Sequence, residues 1–540
     1  MLLFLAVLQG ATVPPLPDSS GWGVHVLAIS RAPDSAIWVG TYGQGIFVLR
    51  KGAASWERIR SSSDTAAHAI SWDFVHAFGF GPRGEIWYGT VGNGWGVSTD
   101  GGHTWKNWEF GQLGPEWQYV TPDGIVTRGD TTYIATADGI KLTWDDGQTW
   151  RVITDSIGRT TAKDSVWGVI QHQYITRFGL TEHGGFFAQY PGGIGGSDDG
   201  GRTWSATRTQ PRQQMERQLV TAAQRGRGGT RLCSDPQLIV PGPSLVPDSL
   251  RGTPWGLLRK GDAWGCTTVP RSNTPVSGGV ARAEAPRHTW FKRPIGPADQ
   301  QYIDQTYRFG STMGGNFQPH QGVEFNNADG TPVHAIGDGV VVHSGPAERG
   351  ALTVAIKHDR RLTADGRQLF LFSVYYHNSK LLAHIGDRVK AGDVIALVGN
   401  TGRATNDHMH LEVHASPFDS TRLIVDPEVR YPPYNTNTEL WIEPLPGTGM
   451  LAGQVWDSAG KPVEQARIYG LVKWEPVETP FSFIETYGPR NHSDPVYKEH
   501  FGISDVTPGI YVLGVEIDGK RVFRQVKVEA GKLTWVEFRP

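Results

Sequence analysis

Two short segments contain residues whose types and spacing suit a metal site. His320 and Glu324 stand four apart in HQGVE, and His408 and His410 stand two apart in HMHLEVH. Zinc binds imidazole nitrogen and carboxylate oxygen, and a catalytic zinc site keeps three protein ligands and one open position. His320, Glu324 and one histidine of HMH would complete that set. The other histidine would then lie beside the metal as a proton or hydrogen-bond donor.

The HMHLEVH segment has the alternation of a β-strand. Residues two apart in a strand face the same side, so Met409, Leu411 and Val413 are predicted to enter the core. Glu412 and His414 share the histidine face and are candidates to support the ligands. A solvent-facing strand has the same pattern. Two histidines in an otherwise apolar run are nevertheless costly to bury unless they bind something.

The composition indicates an all-β, multidomain protein. The chain has 540 residues, of which 69 are Gly and 35 are Pro, and only 38% are hydrophobic. This balance excludes a helical bundle or a coiled coil, and the length suggests about three to four domains. With 20 Trp, 21 Phe and 16 Tyr, the chain can fill several cores. A formal net charge of −2 provides no overall field that would attract nucleic acid or an anionic membrane.

The first half contains internal repeats. STDGGHTW, TWDDGQTW and SDDGGRTW end at Trp105, Trp150 and Trp204, and weaker copies end at Trp56 and Trp264. The period is close to the ~40–50 residues of a four-stranded propeller blade. The motif resembles the Asp box of sialidase-type propellers, and IWVGTYGQGIF and IWYGTVGNGWG resemble the propeller repeats of two-component sensors. An N-terminal β-propeller, either five-bladed or incomplete, is therefore predicted over residues 21–285.

The repeated motif is interpreted as a folding device without catalysis. Its aspartates are predicted to accept hydrogen bonds from the turn backbone, and its glycines to take positive φ. The aspartates are Asp100, Asp145 and Asp199, and the glycines are Gly102, Gly147 and Gly201. Nothing in residues 24–285 marks the arginine cluster and the Tyr/Glu pair that a sialidase needs.

Three further features concern location and partners. Residues 1–20, with an apolar run from Leu2 to Leu8 before a Pro-rich segment, are predicted to be a signal peptide and linker, so a secreted or periplasmic protein is expected. The alternatives are a misplaced start codon or a buried first strand. No later apolar stretch reaches the ~20 residues of a membrane span. The arginine-rich segment from Thr203 to Arg231 is either a solvated loop or a contact for an anionic cell-envelope polymer or glycan. Cys233 and Cys266 are either one disulfide or two unrelated thiols.

Residues 306 to 428 resemble the lysostaphin/LytM-type zinc metallopeptidases, which cleave peptide bonds in bacterial peptidoglycan. That family has the motifs H-x-x-x-D, Y-x-H-L-S and H-x-H, which correspond here to HQGVE, YYHNS and HMH. The scaffold segments GTPVHAIGDGVV and IGDRVKAGDVIALVGNTG also match. The resemblance predicts a central antiparallel β-sheet peptidase domain over residues 286–430.

The resemblance also implies roles for individual residues. One zinc ion per chain would be held by His320, Glu324 and His410, and His377 and His408 would be the catalytic pair, with their separate roles open. Glu324 replaces the family's aspartate, which favours altered geometry over lost metal. Asn378 replaces the family's leucine and affects no ligand.

Other side chains near these motifs receive weaker assignments. Strand alternation puts Tyr375 on the face of His377, where it could support it by a hydrogen bond. The remaining histidines of this region lie outside the three motifs and are not expected to be ligands: His334, His343, His358 and His384.

The C-terminal part resembles a carboxypeptidase regulatory-like, transthyretin-like or Ig-like β-sandwich. The opening G-x-V-x-D-x-x-G-x-P pattern and a later PG-Y-L-V-like run carry this resemblance over residues 448–540, after a Pro-rich linker at residues 431–447. The whole chain is thus predicted to be a zinc metalloendopeptidase acting on peptidoglycan stem peptides or cross-bridges, with flanking targeting or regulatory modules. The alternative is a non-catalytic cell-wall binding or hydrolase-activator protein with a silent domain.

Overall fold

The structure is a computed structural model. It describes residues 14, 16–17, 24, 26–109, 119–155, 166–181, 184–190, 193–208, 283–284, 288–304, 307–312, 315, 318–404, 407–426, 428–429, 431–470, 483–506 and 508–540. Most of the predicted signal peptide, both cysteines, most of the arginine-rich segment and the fifth repeat lie outside the described residues. The all-β prediction is confirmed in the part of the chain that the structure describes, where the only helices are short 3-10 turns: Thr65–Ala67, Glu348–Gly350, Thr421–Leu423 and Thr438–Leu440.

Four antiparallel sheets follow one another in the first part of the chain. Sheet one contains β1 (Val26–Arg31), β2 (Ile37–Thr41), β3 (Ile46–Leu49) and β4 (Glu57–Ile59), and sheet two contains β5 (Val75–Phe80), β6 (Ile86–Thr90), β7 (Trp95–Ser98) and β8 (Lys106–Trp108). Sheet three contains β9 (Val120–Arg128), β10 (Thr131–Thr136), β11 (Gly139–Thr143), β12 (Arg151–Asp155) and β13 (Val166–Ile170). Sheet four contains β14 (Arg177–Leu180), β15 (Phe186–Tyr190), β16 (Gly193–Ser197) and β17 (Ser205–Arg208). Each is a meander in chain order, and β13 joins sheet three in parallel beside β12.

Large aromatic side chains join each sheet to the next. Trp38 of sheet one shares a core with Tyr88 and Trp105 of the second unit. Trp87 and Trp95 likewise share a core with the third sheet. Sheets packed face to face in chain order are what a propeller requires, and the propeller itself stays a prediction.

The repeated turns have the hydrogen bonds that the sequence predicts. Asp100 Oδ1 accepts from the Thr104 backbone N at 2.9 Å, and its Oδ2 accepts from Thr104 Oγ1 at 2.6 Å. The same pair of bonds recurs at Asp145 and at Asp199. The three glycines have φ of 96°, 75° and 94°, so each turn uses the left-handed region.

A seven-stranded sheet dominates the middle of the chain. Its strands are β19 (Val323–Asn326), β21 (Gly339–Pro346), β22 (Leu352–Ala364), β23 (Arg367–Asn378), β25 (Arg388–Val389), β27 (His408–Ser416) and β28 (Asn435–Thr436). They run in the order β19-β27-β23-β22-β21-β25, and β28 also pairs with β27. A second sheet contains β20 (Pro332–His334), β26 (Val394–Leu397) and β24 (Lys380–Leu381), paired in that order.

Strand β27 is buried along its whole length. Met409, Leu411 and Val413 enter the core of this region, as the sequence predicts. The opposite face, which carries the histidines, is buried as well. This strand is therefore covered on both sides, and its polar face is not a solvated surface.

Residues 431–447, predicted to be a linker, differ from that prediction. β28 pairs with β27, and Trp441 is fully buried in the same core as Met409. Glu439 accepts hydrogen bonds from Arg308 on one side and from the Ser504 backbone N on the other. The prolines of this segment lie in turns and irregular backbone, while Leu440 and Trp441 are buried.

Two four-stranded sheets form the C-terminal part. One has the order β18 (Ala283–Glu284), β35 (Leu533–Phe538), β29 (Gly449–Val455) and β32 (Phe501–Val506), and the other has β31 (Phe483–Glu485), β30 (Arg467–Tyr469), β33 (Gly509–Ile517) and β34 (Lys520–Val528). β18 comes from the segment assigned to the repeats and pairs with the last strand. Both sheets contribute to one apolar core. Among the described residues, no helix has the length and apolar character needed to cross a membrane.

Candidate functional site

Pairing of β19 with β27 builds the centre of the site. In this register Glu324 lies opposite His410, and Asn326 lies opposite His408. Paired residues share a face, so the carboxylate and the imidazole project together. His320, just before β19, adds its Nε2 at 3.3 Å from Glu324 Oε1. Ligand atoms of His320, Glu324 and His410 all lie within 4.8 Å of one another.

His320 is held from several sides. Its ring stacks on Tyr307 with centroids 4.2 Å apart, and its carbonyl oxygen accepts from the Gly310 backbone N at 2.9 Å and from Asn491 Nδ2 at 2.8 Å. Its Nδ1 is buried without a hydrogen-bond partner. The imidazoles of His320 and His410 and the carboxylate of Glu324 form a donor set that fits zinc. The unpaired Nδ1 of His320 agrees with metal binding at this site.

Gly322 makes room for the His410 ring. A Cβ at position 322 would lie 2.3 Å from the Leu411 carbonyl oxygen and 2.6 Å from His410 Nε2. Both distances are shorter than any normal contact, so a side chain at this position would displace the ring. The tight HQG turn is therefore a requirement of the site.

Glu412 supports His410 from behind. His410 Nε2 lies 3.3 Å from Glu412 Oε1, and His414 Nε2 lies 2.8 Å from the other carboxylate oxygen. Burial alone would raise the pKa of Glu412, but the hydrogen bonds with His410 and His414 lower it to about 2. A carboxylate behind a histidine orients the ring and increases its basicity toward a metal. The structure thus puts Glu412 next to His410, and His414 next to Glu412.

His377 approaches the cluster from the end of β23. Its φ is 67°, a left-handed conformation that is uncommon for a residue with a side chain. Its Nδ1 lies 2.8 Å from the Thr401 carbonyl oxygen, and its ring centroid is 4.8 Å from that of His408. Burial lowers the pKa of His377 well below its usual range, and the neighbouring His408 and His410 lower it further.

His408 lies between His377 and the carboxylate. Its Nε2 is 3.7 Å from Glu324 Oε1. Burial would raise the pKa of Glu324, but the nearby imidazoles of His408, His320 and His410 hold it well below its usual range. The structure therefore brings all five residues named from the sequence into one group, in which Glu324 and His377 are half-buried and the other three histidines are buried.

The expectation for Tyr375 is wrong. The Tyr375 hydroxyl accepts from the Ile336 backbone N at 2.9 Å and contacts Ser373 Oγ at 3.0 Å, away from the histidines. Tyr376 faces the site instead, with its ring 5.7 Å from that of His410. The left-handed conformation of His377 breaks the alternation on which the expectation depended.

The other histidines of this region bond elsewhere. Each has its own partner outside the cluster: Gly392 O for His334, Gly345 O for His343, Ser373 Oγ for His358 and Asp387 for His384. Sequence reasoning did not find Tyr307, Thr401 or Asn491. Thr401 contacts His377 through its backbone carbonyl, and Tyr307 stacks on His320. Neither contact belongs to a sequence motif. Asn491 lies 171 positions from its partner His320.

Comparison with known proteins decides the family of this region. The profile described as Peptidase family M23 matches residues 318–422, a span that contains all five residues. Residues 318–422 are a peptidase family M23 domain.

The M23 domain has relatives in several bacteria. It is 41% identical over 101 residues to an uncharacterized metalloprotease of Haemophilus influenzae, covering 18% of this chain and 19% of that protein. It is 38% identical over 95 residues to the peptidoglycan DD-endopeptidase ShyA of Vibrio cholerae, covering 18% and 20%. The catalytic domain of lysostaphin from Staphylococcus simulans matches with 26% identity and a TM-score of 0.16, covering 26% of this chain and 81% of that one. The chain thus spans about a fifth of the length of the curated relatives it matches.

Proposed function

We propose that this chain is a zinc metalloendopeptidase that hydrolyses a peptide bond in bacterial peptidoglycan. The observation that carries the proposal is the cluster of four histidines and one glutamate inside an M23 domain. Relatives named as peptidoglycan endopeptidases support the substrate class. An extracellular or periplasmic location follows from this substrate.

His320, Glu324 and His410 would hold the zinc ion. Their donor atoms converge within 4.8 Å, and the carboxylate of Glu412 supports the His410 ring. The extra methylene of Glu324, relative to the family's aspartate, leaves the same carboxylate chemistry. When bound there, zinc acts as a Lewis acid that activates water and polarises a carbonyl group.

His377 is assigned as the proton acceptor. The Thr401 carbonyl oxygen can only accept a hydrogen bond, so His377 Nδ1 carries the proton and Nε2 keeps its lone pair. His377 Nε2 can then take a proton from the attacking water as the new carbon–oxygen bond forms. Its depressed pKa keeps it neutral and ready to accept.

His408 is assigned as the proton donor. Its Nε2 lies 3.7 Å from Glu324 Oε1, beside the proposed ligands. Breaking the carbon–nitrogen bond leaves an amine that needs a proton, and His408 Nε2 supplies it. The two histidines thus divide the two proton transfers that peptide hydrolysis requires.

The flanking regions are proposed to target or restrict the enzyme. In this proposal residues 21–285 form the propeller, residues 286–430 the peptidase domain and residues 448–540 the sandwich. The four packed sheets and the two C-terminal sheets support this division. An exposed wall polymer or glycan is the proposed partner of the propeller.

Two contacts favour the second candidate, a cell-wall binding or activator protein with a silent site. Asn326 Nδ2 donates to Tyr174 OH at 3.3 Å, and His172 Nε2 lies 3.9 Å from Asp407 Oδ2, immediately before His408. The repeat sheets therefore pack against the edge of the site. A permanently closed edge would make the M23 domain a binding module.

Digestion of purified sacculi tests the proposal. We expect the wild type to release fragments with new amino termini by mass spectrometry, and a chelator to stop the release. His377→Ala and Glu324→Gln should each lower the release at least about a hundredfold, because they remove the proton acceptor and a ligand. His384→Ala is the matched control, since His384 is exposed outside the group.

Metal content separates the two candidates. Full zinc occupancy without any release, from sacculi of several wall types, would contradict the peptidase and support the closed site. Loss of zinc in Glu324→Gln but not in His377→Ala would support the division into ligands and catalytic pair.

A further inference from the structure

We propose that Arg490, from the C-terminal region, is a carboxylate-binding residue at the mouth of the M23 site and selects peptides with a free carboxylate. This inference rests on the proposed function for the nature of the substrate. It concerns a residue outside the M23 domain, in a loop of the β-sandwich region.

The Arg490 side chain is held in place beside the site. Its NH1 donates to Gln318 Oε1 at 2.5 Å, two residues before His320. Its guanidinium carbon lies 4.8 Å from the centroid of the Tyr431 ring. Tyr431 OH also donates to Gln318 Oε1, at 3.4 Å. A guanidinium stacked on a ring and tied at one nitrogen has fewer rotamers to lose on binding.

The charge of Arg490 is not neutralised by a carboxylate of the protein. Within the described residues, no Asp or Glu oxygen lies within 4.0 Å of its guanidinium, whereas Arg308 and Arg293 each have a buried acidic partner. Arg490 is exposed, and only one of its five N–H donors is used by Gln318. The remaining N–H groups can donate two parallel hydrogen bonds to a carboxylate.

The loop that carries Arg490 is fixed to the peptidase region. The next residue, Asn491, donates from Nδ2 to the His320 carbonyl oxygen at 2.8 Å. The following residue, His492, forms a β-bridge with Thr436 of β28. The backbone next to Arg490 is therefore fixed to His320, one of the proposed ligands.

Peptidoglycan peptides offer this charge in two forms. A stem peptide ends in an α-carboxylate and also carries acidic side chains, and both present the same planar acceptor. The two sources differ only in where the carboxylate lies relative to the cleaved bond. Synthetic stem peptides distinguish the two sources of the carboxylate. In one peptide the terminal α-carboxylate is replaced by a carboxamide, in a second the acidic side chain is replaced, and in a third both are.

Binding to the full-length protein provides the first test. In a zinc-loaded His377→Ala background, we expect the free-carboxylate peptide to bind about tenfold or more tightly than the fully amidated one in calorimetric titration. Arg490→Gln should remove this preference, and Arg490→Lys should keep only part of it because it lacks the fork. Arg422→Gln, at an exposed arginine within the M23 domain, should leave the preference unchanged.

The ring beneath the guanidinium provides an internal check. Tyr431→Leu should weaken binding of the carboxylate peptide, while Tyr431→Phe, which keeps the ring, should restore most of it. Equal affinity for acid and amide peptides, a preference that persists in Arg490→Gln, or no binding of any peptide would each overturn the inference.

Parallel cleavage assays with His377 intact keep the two proposals apart. Binding preference without cleavage would contradict the proposed function and leave Arg490 as a carboxylate-binding residue. Cleavage of acid and amide peptides at the same kcat/KM would contradict the Arg490 inference and leave the peptidase in place.

Discussion

Gly322 controls the position of His410 without contributing a side chain. We predict that Gly322→Ala lowers zinc affinity by about tenfold or more, because the new methyl group would collide with the ring nitrogen that faces Glu412. Competition with a fluorescent chelator measures this affinity. Gly345→Ala is the control, since a Cβ at position 345 meets no atom within 4 Å.

Equal zinc affinity in both glycine variants would contradict the required close approach at Gly322. Far-UV circular dichroism of the two variants should remain that of the wild type, because the displacement is local.

A second prediction at this scale concerns His358, which the site does not use. His358 is buried in β22, and burial lowers its pKa from 6.5 to about 4. The unfolded chain takes up this proton near pH 6.5, while the folded protein does not until about pH 4. Stability should therefore fall as the pH drops through this window, by up to about 3 kcal/mol.

Urea unfolding of the wild type and of His358→Gln between pH 7 and pH 5 measures this effect. The variant should be less stable at pH 7 but should lose less stability on acidification, because the titrating group is absent. His384→Gln, at an exposed position, should follow the wild-type curve. Parallel curves for His358→Gln and wild type would show that the proton is taken up elsewhere.

At the scale of elements, β27 is the strand on which the site depends. One face carries the histidines and the other enters the core, and both are buried. We predict that Leu411→Ala lowers the free energy of opening of the seven-stranded sheet by about 2–5 kcal/mol, because it leaves a cavity next to Met409 and Val413. Native-state hydrogen exchange of the β23 and β27 amides reports this energy.

Val394→Ala provides the comparison within the same region. Val394 is 44% exposed in β26, so its truncation should change the exchange of the same amides by less than about 0.5 kcal/mol. Similar effects of the two variants would argue against a cavity in the sheet core.

The sequence predicted β27 better than it predicted β23. Alternation correctly assigned Met409, Leu411 and Val413 to the core, because an extended strand has a fixed period of two. The same rule failed at Tyr375, since His377 is left-handed and turns the end of β23 toward the site. A single backbone dihedral of this kind leaves no trace in residue type.

Contacts between residues far apart in the chain could not be predicted from the sequence, for a different reason. The motifs brought together the five site residues, because each motif is short and each residue type has its own chemistry. Asn491 and Trp441 lie in segments whose composition suggested a sandwich loop and a linker. Their roles depend on which distant surface they meet, and composition does not contain that information.

At the scale of the whole molecule, Tyr307, Arg308 and Thr312 contact both the repeat sheets and the C-terminal region. Tyr307 packs beside the aromatic cluster of the repeat sheets, which includes Trp72 and Tyr174. Thr312 donates from its backbone N to Glu485 at 2.6 Å, in the C-terminal region. Arg308 pairs with Glu439, which also accepts from the Ser504 backbone N at 2.8 Å. The segment that leads into the site is therefore a structural junction.

Breaking the Arg308 pair should loosen this junction. We predict that Arg308→Ala destabilises the protein by about 3–5 kcal/mol, because Glu439 stays buried without its counter-charge. Differential scanning calorimetry of the full chain should show a lower transition temperature or a separate early transition for the C-terminal region.

The exposed pair of Arg388 and Asp359 gives the matched control. Arg388→Ala should cost no more than about 1 kcal/mol, because both side chains are in solvent. Equal transition temperatures for Arg308→Ala and Arg388→Ala would show that Glu439 does not need the charge of Arg308.

The junction also determines how the peptidase could be isolated. A fragment cut at the limits of the family match, residues 318–422, would keep all five site residues and lose Tyr307, Arg308 and Asn491. His320 would lose the ring stacked on it and both donors to its carbonyl oxygen, the Gly310 backbone N and Asn491 Nδ2. A recombinant fragment designed from the family limits alone would thus expose the metal-binding turn to water, and its inactivity would say nothing about the intact enzyme.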